Sequence, residues 1–189
     1  MLNLIIFGAP GAGKGTQAQK LTEKFNLKHL STGALLREEV AKESQLGKIV
    51  KDVIARGELV GDEIVNQIIE DHILKNGNVA GFIFDGYPRN LQQAKQLDSL
   101  LAAKALPLIL NLEVNVEELI KRLILRGRES NRVDDNEVVI RNRLNVYEQQ
   151  TKPLLDFYQA QQRLISVDGE GEIEEIHQRL VQKIKEIKQ

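Results

Sequence analysis

Cysteine is absent from the chain, which excludes disulfides and every cysteine-based metal site, those for zinc included. No apolar run approaches the roughly 20 residues needed to cross a bilayer, so no membrane role is expected. Neither sign of charge dominates, with 26 Lys and Arg against 27 Asp and Glu, and aromatics make up only 4%. A general nucleic-acid binder carries a basic excess, and a single-strand binder a basic surface interleaved with aromatics, so neither is expected here. The opening residues Met1-Leu2-Asn3-Leu4 lack a positive flank and a small-residue cleavage site. They are therefore not read as a signal peptide, and the absence of cysteine fits a reducing, cytoplasmic setting. No Ser or Cys motif for nucleophilic catalysis occurs, His29, His72 and His177 show no metal-ligand spacing, and there is no internal repeat. The 189 residues suffice for one domain with a substantial core, and a monomer is the default expectation.

What is present is an alternation. Leu2–Phe7, Gly81–Phe84, Leu106–Leu112 and the shorter Leu164–Val167 are continuous apolar runs, as expected of parallel strands covered on both faces. Helical periods lie between and after them: Val116, Leu119, Ile120, Leu123 and Ile124 share one face, as do Ile173, Ile176, Leu180, Ile184 and Ile187. This β-α order predicts an α/β fold with right-handed crossovers. Ser31 to Asn76 is almost wholly helical in pattern, more than one crossover needs. Asp62 is predicted to cap its later helix and Gly77 to end it. Residues 31–60 are read as a helical insert beside the sheet, and Pro153 as starting or kinking a helix.

The stretch IIFGAPGAGKGTQAQ, residues 5–19, places four glycines and a lysine between a strand and a helix. Gly8 to Lys14 matches the first seven positions of the phosphate-loop pattern GxxxxGK[ST]. Glycines let backbone N–H groups turn inward around a polyphosphate, and the following helix adds its positive end. Lys14 supplies a full charge. The hydroxyl residue that usually ligates magnesium is replaced by Gly15, with Thr16 following.

GAPGAGKGTQ, HLSTGALLR (29–37), GFIFDGYPRNLQQA (81–94) and RGRESNRVDDN (126–136) occur in the order and spacing of the adenylate kinases, a branch of the nucleoside monophosphate kinases that the chain resembles. The resemblance spans essentially the whole chain, and the short segment at 126–136 resembles the short-lid form, without the zinc-binding insertion. It implies a three-layer P-loop NTPase fold with a five-stranded parallel sheet, the fifth strand near Leu27–Leu30. The chain would be a single kinase domain over residues 1–189, with an AMP-binding insert at 31–60 and a lid at 125–135. It also implies the reaction ATP + AMP ⇌ 2 ADP with Mg2+, serving adenine nucleotide balance.

The resemblance further assigns residues. Gly11, Ala12, Gly13, Lys14, Gly15 and Thr16 would bind ATP, together with Arg126 and the backbone of Gly171; a plain turn leading into the last helix is the other reading of Gly171. Arg37 and Arg89 would grip the acceptor phosphate, and Arg132 and Arg143 would bridge the two nucleotides, so that Lys14, Arg89, Arg132 and Arg143 form the catalytic set. Arginine suits these places because its planar fork bonds phosphate oxygens in pairs and stays charged. Thr32 and Gln93 resemble the adenine-reading pair, with Glu58, Leu59 and Val60 along the base and Gly86, Tyr87 and Pro88 beside Arg89. Asp85, at the end of a strand, would hold magnesium through water; the alternative is an Asp that only caps the Asp85-Gly86 turn. Ala34 stands where the family commonly has Asp. Arg128 and Arg141 are read as surface or lid charges, and Asp134 and Asp135 as partners for the lid arginines.

Two unit charges ~4 Å apart repel by roughly 4 kcal/mol at an effective dielectric of 20, so bringing two phosphate chains together demands several fixed cations. No covalent nucleophile is needed, because the acceptor oxygen attacks directly. Rival readings are a UMP/CMP kinase, a slow nucleotide-hydrolysing switch with one nucleotide site, and a phosphotransferase acting on nucleic acid. Thr32 with Gln93, the acceptor-side arginines and the balanced charge argue against them in turn. Residues 31–60 and 125–135 are expected to close over the substrates and exclude water.

Overall fold

The computed structural model describes residues 1–103, 105–129 and 136–187. Five strands, β1 (Leu4–Phe7), β2 (Lys28–Ser31), β3 (Phe82–Asp85), β4 (Leu108–Glu113) and β5 (Leu164–Asp168), form one sheet in the order β2-β3-β1-β4-β5. Every pairing is parallel. The helices are α1 (Lys14–Phe25), α2 (Thr32–Ala41), α3 (Gln45–Ala55), α4 (Asp62–Lys75), α5 (Leu91–Leu101), α6 (Val116–Glu129), α7 (Glu137–Val146), α8 (Leu154–Ala160) and α9 (Ile173–Ile187).

Successive strand side chains point to opposite faces, and the two faces are buried in different cores. Ile5, Phe7, Phe82, Phe84 and Ile109 pack with Ile69 and Ile73 of α4 and Leu97 of α5. Leu4, Ile6, Ile83, Leu110 and Leu112 pack with Leu21 of α1 and with Ile176, Leu180 and Ile184 of α9. Burial on both sides is why the strands read as unbroken apolar runs. The edge strand β2, Lys-His-Leu-Ser, keeps only Leu30 fully buried, so it carries no such run.

Side chains cap several helices. Ser31, Ser44, Asn90 and Asn136 accept N–H bonds at the starts of α2, α3, α5 and α7. The predicted cap by Asp62 is not made. Gly61 holds that position without a side-chain bond, and Asp62 is the first helical residue. Its carboxylate instead accepts bonds from Asn90 and Gln93, which compete for it across the chain. Gly77 does not end α4 either; Asn76 does, its Nδ2 donating to the His72 carbonyl at 2.8 Å. Before Pro153 the chain widens into a π-helical turn, Tyr147–Thr151, and α8 begins after it.

β1 has β3 on one side and β4 on the other, so the chain reverses its direction of travel across the sheet at β1. Such a switch point leaves a crevice beyond the carboxyl ends of the strands. The glycine-rich loop and Asp85 both lie at those ends. Among the described residues no helix is long and apolar enough to cross a membrane.

Candidate active site

The crevice is a cavity of about 990 Å³. The loop from β1 to α1 forms its floor. Gly11 has a φ of +90°, and a Cβ there would stand 2.9 Å from the Leu119 carbonyl of α6, so this position requires glycine twice over. Lys14 folds back over the loop, its Nζ donating to the carbonyls of Gly8 at 2.7 Å and Ala9 at 2.9 Å. Burial pulls its pKa down to about 8, helped by the positive fields of Arg89, Arg143 and Arg126 and opposed by Asp85. A half-buried ammonium within reach of three guanidinium groups is a site built for several negative charges.

Asp85 ends β3, in register with Ile6 of β1 and Ser31 of β2. Its Oδ2 accepts from the Ser31 hydroxyl at 3.2 Å, and His29 Nε2 approaches to 3.7 Å. Burial alone would raise its pKa. The His29 ring, the Lys14 ammonium and the Ser31 hydroxyl outweigh that and hold the carboxyl below the ordinary carboxylate range. The same Oδ2 lies 3.5 Å from where a Cβ on Gly15 would stand, so the carboxylate faces the start of α1. The described residues hold no group of three His, Cys, Asp or Glu side chains able to cage a metal. One ionised carboxylate beside a phosphate loop suits magnesium, which keeps several waters and leans on substrate phosphates.

On the β2–β3 side, Thr32 is buried and its Oγ1 donates to the Gly86 carbonyl at 2.8 Å. Arg89 donates from Nε to that same carbonyl at 2.8 Å. Its backbone is gripped at both ends: its N–H donates to Gln93 Oε1 at 2.8 Å, and its carbonyl accepts from Thr151 Oγ1 at 2.9 Å. Gln93 is buried and also donates from Nε2 to Asp62 at 2.7 Å. The Arg37 guanidinium lies over the first turn of its own helix, 3.2 Å from where a Cβ on Gly33 would be. Gly57, with a φ of +72°, lets the end of the insert press on α7, where a Cβ would stand 2.7 Å from Arg143 Cγ. Asn142 Nδ2 ties the same helix to the Arg56 carbonyl at 2.7 Å.

Gly11, Ala12, Gly13, Lys14, Gly15, Thr16, Arg126 and Gly171 all line this one cavity, and so do Thr32, Arg37, Glu58, Leu59, Val60, Asp85, Gly86, Tyr87, Pro88, Arg89, Gln93 and Arg143. Glu58 is also paired with Arg56 at 2.9 Å on the exposed side. Arg141 is exposed and paired with Glu137. Arg132, Asp134 and Asp135, and most of the expected lid at 125–135, lie outside the described residues. Among the wall residues that sequence reasoning did not assign to the site are His29, Arg122, Tyr147 and Thr151. Arg122 donates to Glu118 and to the Gly169 carbonyl, a role its helical spacing from Glu118 hints at only in part. Asp62 was missed as a site neighbour because its partners come from 28 and 31 residues later in the chain.

Known proteins share this chain's pattern from end to end. The family model described as Adenylate kinase matches residues 6–163. A protein named Adenylate kinase from Parabacteroides distasonis is 44% identical over 190 residues, covering all of both chains. One of the same name from Synechococcus sp. (strain WH7803) is 49% identical over 180 residues, 94% of this chain and 95% of that one. Another from Stenotrophomonas maltophilia (strain R551-3) is 45% identical over 186 residues, 97% of this chain and all of that one.

Proposed function

This chain belongs to the adenylate kinase family, and on that premise we propose how its cleft performs the transfer. The reaction is the reversible passage of the terminal phosphoryl group of ATP to AMP, giving two ADP. The observation that carries the residue-level reading is electrostatic. One cavity collects Lys14, Arg89, Arg126 and Arg143; burial lowers the Lys14 pKa, and the positive fields of the three arginines add to that.

ATP lies with its phosphates in the loop Gly11–Thr16, against the peptide N–H groups and the start of α1. Arg126 and the backbone of Gly171 flank it. AMP lies against Thr32, Glu58–Val60 and Gly86–Pro88, with its base toward Gln93 and its phosphate toward Arg37 and Arg89. An oxygen of the AMP phosphate attacks the terminal phosphorus of ATP, and the bond from that phosphorus to the bridging oxygen breaks, leaving ADP on each side. Arg143 would meet both phosphate chains and neutralise the charge that gathers there, a role the family resemblance extends to Arg132. Because Gln93 and Thr151 fix the Arg89 backbone, that guanidinium needs little reorganisation when AMP arrives. Asp85 would hold Mg2+ through water, and the bound ion would draw charge from the ATP phosphate oxygens. The insert at 31–60 closes over AMP and expels water, which otherwise competes as acceptor. The chain acts as a cytoplasmic monomer in this reading, with ATP, AMP and ADP as its ligands and no nucleic acid.

The test is ADP formation from saturating ATP with AMP, UMP, CMP or GMP as acceptor, in the wild type and in Arg89→Ala. AMP is expected to be used far better than the others. Arg89→Ala is expected to lose about a hundredfold or more while staying folded, the scale for one fixed donor at a developing charge. Negligible turnover of AMP would overturn the choice of substrate, and full activity in Arg89→Ala would show the acceptor site to be misplaced.

A further inference from the structure

A carboxamide has two ends of opposite character, and in a dry site its neighbours decide which end points where. Gln93 is 2% exposed and touches two such neighbours. Its Oε1 accepts from the Arg89 backbone N–H at 2.8 Å, and its Nε2 donates to Asp62 Oδ1 at 2.7 Å. A backbone N–H only donates and a carboxylate only accepts. Turning the amide over would therefore set oxygen against carboxylate and N–H against N–H.

Asp62 is itself held in place. Asn90 caps α5, its Oδ1 accepting from the Gln93 N–H at 2.9 Å. That bond leaves the Asn90 Nδ2 directed at Asp62, to which it donates at 2.8 Å and 3.0 Å. The carboxylate thus receives two amides, one from each of two residues at the start of α5. This arrangement also explains why Asp62, at the first position of α4, makes no cap for its own helix.

We propose that Asp62 is a positioning residue which locks the direction of the Gln93 amide, and so makes the base site accept a 6-aminopurine and reject a 6-oxopurine. The inference rests on the reading above that Gln93 faces the acceptor base. With both bonds made, Gln93 retains one N–H and one oxygen lone pair. Adenine offers an N–H donor at its 6-position and an acceptor at N1, which match an amide oxygen and an amide N–H. Hypoxanthine offers an oxygen at the 6-position and a donor at N1, the reverse pattern. Meeting it would require the reversed amide, which Asp62 and the Arg89 N–H both oppose. Rejection here comes from a group that never needs to touch the nucleotide.

The experiment compares kcat/KM for IMP and for AMP, with ATP as donor, in the wild type, Asp62→Asn, Asp62→Ala and Gln93→Ala, each checked by its melting temperature. An asparagine in place of Asp62 can offer either an oxygen or an N–H to Gln93, and an alanine offers neither, so both variants remove one of the two restraints on the amide and leave only the Arg89 N–H. In both, the IMP-to-AMP ratio is expected to rise by about tenfold, the worth of one misplaced hydrogen bond in a dry site. The AMP KM should rise while the ATP KM stays put, a split that general damage to the fold would not give. An unchanged ratio in both Asp62 variants, alongside a raised ratio in Gln93→Ala, would overturn the proposal and leave the base reading standing. An unchanged ratio in Gln93→Ala would overturn the base reading and the proposal together.

Discussion

Lys14 is a charge kept where the folded protein alone would prefer none. Burial and three nearby arginines lower its pKa to about 8, while in the unfolded chain it titrates near 10.5. Between those values the unfolded chain binds more protons, so stability rises with pH across that window. Below pH ~8 the full cost of desolvating this half-buried ammonium is present. Nucleotide phosphates would relieve it. Lys14→Met is therefore expected to lose activity by orders of magnitude and yet, without nucleotide at pH 7, to melt about 2–4 °C higher, the size for roughly 1 kcal/mol in a chain of this length. Thermal scans of both proteins at pH 7 and pH 10 check this, and the gain should shrink at the higher pH. A lower melting temperature for the variant at pH 7 would contradict the reading. Lys14, Arg37, Arg89 and Gln93 are legible in the sequence because each sits inside a short contiguous motif. Asp62 and Thr151 are not, since each matters only through a residue brought to it by folding.

At the level of elements, the end of the insert presses on α7 at Gly57. Gly57 follows α3 with a φ of +72°, and a side chain there would strike Arg143 Cγ at 2.7 Å and Val139 Cγ1 at 2.9 Å. Gly57→Ala combines left-handed backbone strain with a push on a residue assigned to the transfer point. Its kcat is expected to fall about tenfold to a hundredfold, as small displacements of catalytic groups do. Stability should fall by roughly 1–3 kcal/mol. Steady-state kinetics with a melting curve would show both, and an unaltered kcat would mean that Arg143 tolerates displacement. Buried elements are easily read: four strands follow directly from their apolar runs. β2 needs the family resemblance, because an edge strand reading Lys-His-Leu-Ser has no pattern of its own. The ends of α4 mislead, since Asp62 and Gly77 obey local capping preferences that tertiary bonds and Asn76 override.

The whole molecule turns a sheet reversal into a charged crevice. The order β2-β3-β1-β4-β5 opens the space above β1, the phosphate loop fills its floor, and helices from both sides carry arginines to its walls. On the proposed reading, in which Asp85 is the one carboxylate contact to the metal, the ion should be bound mainly with the nucleotide. Chelation with EDTA is then expected to abolish turnover while leaving a measurable affinity for free ATP, and thermal stability without nucleotide should not change. A fall in melting temperature on chelation would point to a structural metal instead. Most of the sheet is foreseeable from the apolar runs, whereas the convergence of the arginines rests on the family resemblance, because no periodicity relates positions 37, 89, 126 and 143.

That two nucleotides meet phosphate to phosphate in this one crevice is tested most directly by calorimetric titration with a dinucleotide inhibitor linking two adenosines through a polyphosphate. One molecule should bind per chain, exclude both ATP and AMP, and bind far more weakly to Lys14→Met and to Arg89→Ala. If ATP or AMP still bound at full affinity to the inhibitor-saturated protein, the two nucleotides would not share the crevice.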